Sequence, residues 1–174
     1  MTRPRTALVF SLPLAFLALG CESSTTPLPT DLDLALAKSP NAPVNWASGG
    51  GTVDVPDGRS TYAFHASLDG TGNVNGGFEI HFSSVDANTH GDVTCFVVEG
   101  NRAWFGGVVT GTSDPTLVPL GREFVWRAED NGQGANAPPD RVSSYFSGVW
   151  TAGRCAEKPL FPTREWTNGN VQIR

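Results

Sequence analysis

The chain reads as an all-β protein: an antiparallel β-sandwich or flattened barrel of about eight strands behind a flexible N-terminal tether. Three observations predict this. Several segments alternate apolar and polar residues with a period of two, the pattern of half-buried antiparallel strands. No stretch carries a convincing 3.6-residue period. With 20 Gly and 13 Pro in 174 residues, turns are frequent enough to break the chain into many short strands.

Taken in order, the first twenty residues are a targeting device. Arg3 and Arg5 precede an apolar run from Thr6 to Leu19, which is too short to span a bilayer and suits a cleaved signal. The run ends in Leu17-Ala18-Leu19-Gly20-Cys21, which resembles the lipobox of bacterial lipoproteins. That resemblance implies cleavage after Gly20 and acylation of the Cys21 thiol, so the partner expected there is a membrane. Glu22 rather than Asp after the cysteine points to the outer membrane, by resemblance to lipoprotein sorting. Residues 21–48 read as a lipidated tether, with ESSTTPLPT and SPNAP polar and proline-bearing. Residues 49–174 read as the β-domain.

Within that domain, Thr52 to Val55 is a short strand stopped by Pro56-Asp57-Gly58. Thr61 to Leu68 places Tyr62, Phe64, Ala66 and Leu68 on one face, and Phe78, Ile80 and Phe82 do the same after a glycine-rich connection. The centre is DVTCFVVEGNRAWFGGVVTG, Asp92 to Gly111. Gly100-Asn101 is a two-residue loop suited to a II′ or I′ turn. Glu99 opposite Arg102 then pairs Val97 with Trp104, Phe96 with Phe105 and Cys95 with Gly106. Both faces are apolar, so the hairpin should be central and covered. Arg122 to Glu129 turns Phe124, Trp126 and Ala128 inward. Arg141 to Trp150 resumes alternation through Val142, Ser144, Phe146 and Trp150, and Val171 to Arg174 closes the chain.

Composition bounds the partners. Losing Arg3 and Arg5 with the signal deepens the net charge from −5 to −7, which argues against nucleic acid. With Cys21 assigned to lipid, Cys95 and Cys155 are an even pair in an oxidising compartment and read as one disulfide; two free thiols are the alternative.

From Gly49 to Arg174 the chain resembles a family of small secreted bacterial β-domains without an assigned activity. The residues that carry the resemblance are VTCFVVEGNRA, then DNGQGANAPPDR, a later cysteine and the terminal GNVQIR. The resemblance implies an all-β fold and a paired Cys95 and Cys155, and it supplies no catalytic residues.

Candidate sites are few. Asp130, Asn131, Gln133, Asn136 and Asp140 form an oxygen-rich loop, with Glu129 before it. Hard cations take six to eight oxygens, so Asp130, Asn131 and Asp140 are the candidate ligands for a weak calcium ion; the plainer account is a turn whose side chains bond their own backbone. His65, His81 and Glu79 share a polar face and read as solvated rather than as zinc ligands. Trp104 and Trp126 have inward strand parity, which leaves Trp46 and Trp166, in irregular segments, free to stack on a sugar. No nucleophile elbow, phosphate loop or ordered triad is present. The reading is a lipid-anchored, non-catalytic envelope domain with a structural or binding role, toward an envelope protein or a glycan. The alternatives are a glycan-binding module and a hydrolase with scattered acidic residues.

Overall fold

The computed structural model describes residues 40–56, 58–134 and 136–174. The signal segment, Cys21 and the tether up to residue 39 lie outside the described residues. Nine strands are described: β1 (Pro43–Val55), β2 (Gly58–Asp69), β3 (Val74–Phe82), β4 (Ala87–Glu99), β5 (Arg102–Thr112), β6 (Glu123–Glu129), β7 (Arg141–Ser143), β8 (Thr163–Glu165) and β9 (Asn168–Ile173), with a 3-10 helix at Ala152–Glu157 before β8. All pairings are antiparallel and the strands form one curled sheet in the order β8-β7-β6-β5-β4-β3-β2-β1-β9. The two faces of the hydrophobic core are thus supplied by one sheet bent on itself, not by two stacked sheets.

The β4–β5 hairpin lies at the centre with the expected register: Glu99 opposite Arg102, Val97 opposite Trp104, Phe96 opposite Phe105 and Cys95 opposite Gly106. Gly100 has φ 59° while Asn101 does not enter the left-handed region, the signature of a II′ turn. The concave face holds the main core. Phe105 stacks on Trp126 at 5.0 Å, and Trp126 on Tyr145 at 4.5 Å. Phe64 and Phe78 pack beside them, and their rings lie where side chains at Gly49, Gly91 and Gly107 would otherwise stand. Glycine inside a strand is thus a seat for an aromatic ring from another strand of the sheet.

The convex face of the hairpin is also covered. Residues 146–161 fold across it, and Trp104, Val125, Cys155 and Phe161 form a second buried cluster with Phe146 and Trp150 against them. Trp104 donates its indole hydrogen to the Pro159 carbonyl at 3.0 Å. The Cys95–Cys155 disulfide, with Cα atoms 6.1 Å apart, ties this cover to β4.

Three expectations need correction. β1 begins at Pro43, inside the span read as tether, because proline is tolerated at a strand's first residue and the segment continues the ladder with β2 from Asn45 onward. Trp104 does not share a face with Trp126: it pairs with Arg127, one residue out of phase, and is buried on the convex side. The alternation expected from Arg141 to Trp150 slips after Ser143. Val142 and Tyr145 face the main core, whereas Phe146 and Trp150 face the second one.

Candidate functional site

The sheet's two ends are closed differently, and the contrast defines the site. At the end that carries the β4–β5 turn, carboxylates join β9 to the loop between β6 and β7. Arg174 and Trp46 exchange backbone hydrogen bonds, so the amides of Val171 and Ile173 point away from β1. Asp140 Oδ2 accepts the Val171 N–H at 2.6 Å, and Asp130 Oδ2 accepts the Ile173 N–H at 3.0 Å. The other oxygens accept from within the loop: Asp140 Oδ1 from Asn131 N–H at 2.7 Å and Asp130 Oδ1 from Gly132 N–H at 2.9 Å. Asn131 donates through Nδ2 to the Pro139 carbonyl. The three residues expected to ligate calcium are thus brought together, and each of the four carboxylate oxygens already holds a backbone donor. Glu129 turns elsewhere, to Arg127 at 2.9 Å and Arg102 at 3.4 Å.

The tryptophan platform is not formed, which corrects the expectation that Trp46 and Trp166 are free to stack on a ligand. Trp166 is only 6 % exposed and meets Tyr62 edge-on inside the core. Trp46 is half-buried in β1, under the Arg174 guanidinium at 5.6 Å. The irregular segment around Trp166 hides its ring because it crosses the seam between β8 and β9. Of the polar-face residues, His65 and Glu79 line one open pocket with His90, the cross-strand partner of Glu79, whereas His81 bonds Asp86 at 3.2 Å. No group of three or more metal-ligating side chains occurs among the described residues.

The opposite end of the sheet carries an apolar groove of about 280 Å³. Phe82, Ser84, Val85, Leu117, Val118, Arg122, Phe124 and Tyr145 line it. Two loops build its walls. In one, Asp86 takes a left-handed φ of 49° and turns β3 into β4, holding Val85 outward at 54 % exposure. In the other, Asp114 Oδ1 accepts the Thr116 hydroxyl at 2.6 Å and the amides of Thr116 and Leu117 at 2.9 and 3.1 Å. That local bonding folds the loop so that Leu117 and Val118 face the groove, and the Thr116 hydroxyl chiefly holds the Asp114 carboxyl below its usual pKa. Gly121, at φ 78°, then returns the chain to Arg122.

Tyr145 forms the floor. Its ring is half-buried, but its hydroxyl is buried with no hydrogen-bond partner among the described residues, as are the indole nitrogens of Trp126 and Trp166. Burial, with Tyr62 nearby, pushes the Tyr145 phenol well above its ordinary pKa, so it remains a donor across the physiological range. Tyr62 is also raised by burial, against a lowering by the Arg164 guanidinium and the Ser60 hydroxyl, and its ring meets that of Tyr145 at 4.9 Å. The groove can therefore hold a small apolar group against Phe82, Val118 and Phe124. Tyr145, Arg122 and Val118 were not among the candidates read from the sequence. The available signal was apolar residues, Val85, Leu117, Val118 and Leu120, inside two stretches otherwise composed of turn formers.

No protein-family model, curated protein or solved structure matches the chain.

Proposed function

We propose that the chain is a non-catalytic binding domain, tethered to the bacterial envelope through acylated Cys21, which takes a small apolar ligand in the groove above Tyr145. The observation that carries the reading is the groove itself: an apolar concavity with a buried, unpartnered phenol at its floor, whose rim keeps Val85 and Leu117 in water. Exposed apolar surface gathered at a concavity marks ligand sites rather than ordinary surface. The groove lies at the low end of the usual pocket volumes, which favours a small ligand over a polymer. The disulfide supports an oxidising location, as the lipobox-like segment does.

The test is a titration of the full chain carrying Cys21→Ser, which needs no detergent, with the neutral fluorophore N-phenyl-1-naphthylamine. Binding in the groove raises and blue-shifts the emission, and Ser84→Trp, at an exposed position on the groove wall, removes the response. An unchanged response in that variant would overturn the assignment. The tether is tested in parallel: wild-type protein partitions into detergent and Cys21→Ser does not.

A further inference from the structure

Resting on that reading, we infer that the ligand is an anion with a short alkyl chain, a medium-chain carboxylate whose head group pairs with Arg122.

The argument is one of charge left over. The protein is acidic, and most of its described cations each hold a carboxylate. Arg59 pairs with Asp54, Arg102 and Arg127 with Glu129, Arg141 with Glu165, Arg154 with Glu157, and Lys158 with Glu99. Arg174 lies over the Trp46 ring. Among the described residues this leaves Arg122, Arg164 and Arg174 without a carboxylate, and of the three Arg122 alone lines the groove. Arg122 lines the groove with Tyr145. Arg164 stands close enough to Tyr62, whose ring packs on Tyr145, to lower the Tyr62 pKa.

Arg122 is the most telling of the three because it is half-buried, whereas Arg164 and Arg174 are exposed. Its one hydrogen bond to another side chain is a long one, 3.5 Å from Nη1 to the Ser147 hydroxyl. Its neighbour Glu123 lines an adjacent cleft with it but forms no ion pair with it, and Glu123 Oε2 accepts the Ala152 amide hydrogen. A partly desolvated guanidinium with a weak partner is destabilising unless an anion completes it, and a carboxylate does so with two parallel hydrogen bonds. The competing role is structural, with the arginine stem merely covering apolar surface and its head in water. The groove beside it is apolar, so the complementary ligand is amphiphilic: an acyl chain on Val118 and Phe124, and a carboxylate at the rim. A volume of about 280 Å³ is on the order of nine water volumes, which fits a chain of about eight carbons rather than a full-length lipid.

The experiment competes octanoate and 1-octanol, both below micellar concentrations, against bound N-phenyl-1-naphthylamine on the full chain carrying Cys21→Ser. Octanoate should displace the probe at a concentration at least tenfold lower than octanol. Arg122→Gln should bring octanoate to the level of octanol, and Arg122→Lys should restore part of the difference. Octanoate and octanol competing equally in the wild-type protein would overturn the anion and leave the apolar groove standing. If neither displaces the probe, the proposed binding site fails and this inference with it. The comparison of the two ligands on the wild-type protein needs no variant, so a poorly folding Arg122→Gln does not obscure the result.

Discussion

At the scale of single residues, Asp140 and Asp69 show how one side chain type does different work by position. Asp140 is 6 % exposed and joins two backbone segments through its two oxygens. Asp140→Asn leaves one of the two amides facing a donor in place of an acceptor, and the expected loss is about 2 kcal/mol in urea denaturation. The same variant separates structure from calcium binding. A bracing carboxylate loses as much stability in EDTA as in millimolar calcium, whereas a calcium ligand shows its loss chiefly when calcium is present. Asp69 is partly exposed and caps the β2–β3 turn. Its Oδ1 accepts the Thr71 hydroxyl at 2.7 Å and the amides of Thr71 and Asn73 at 2.9 Å each. The Thr71 hydroxyl bond first, then the Asn73 amide, bring the carboxyl from 3.8 to about 2. Because the folded value lies below the unfolded one, its stabilising contribution is complete above the unfolded value and is lost as pH falls toward 2. A carboxyl titration by NMR should place the Asp69 midpoint near 2, and Thr71→Val should move it up.

At the scale of elements, the central hairpin illustrates how a missing side chain creates an interface. Gly106 lies opposite Cys95, and a Cβ there would meet the Ala152 carbonyl of the 3-10 helix at a distance no packed protein tolerates. The helix can therefore lie directly on β5, which brings Cys155 within bonding reach of Cys95. Gly106→Ala must lift the helix or bend the strand. The expected loss is about 1–3 kcal/mol by thermal melting, with slower formation of the disulfide. The alternative of a silent substitution would mean that the cover over Trp104 is loosely held.

At the scale of the whole molecule, stability depends on keeping a curled sheet bent and its convex side covered. The disulfide spans 60 positions, and closing a loop of that length restricts the unfolded chain by about 4 kcal/mol on the entropic account. Reduction should lower the melting temperature by several degrees, with the second cluster around Trp104 and Phe161 loosening before the main core. Fluorescence from Trp104 and Trp150, followed against circular dichroism of the sheet, measures that order.

The hairpin register, its central place, the inward set of Tyr62, Phe64, Phe78 and Ile80, and the Cys95–Cys155 pair were all legible in the amino-acid sequence. Each follows from short-range rules: a two-residue turn sets the register, alternation sets the face, and an even count sets the disulfide. What only the tertiary structure decided lies across long connections. Whether nine strands make one curled sheet or two stacked ones depends on how far the sheet bends, and bending leaves no mark on a period of two. Asp130 and Asp140 read as cation ligands until β9, some thirty or more residues away, arrived to offer its amides. The slip after Ser143, which sends Tyr145 inward and Phe146 outward, comes from a strand that ends after three residues. The groove over Tyr145 exists because two loops and that slipped segment meet at one end of the bent sheet, a meeting that local pattern does not encode.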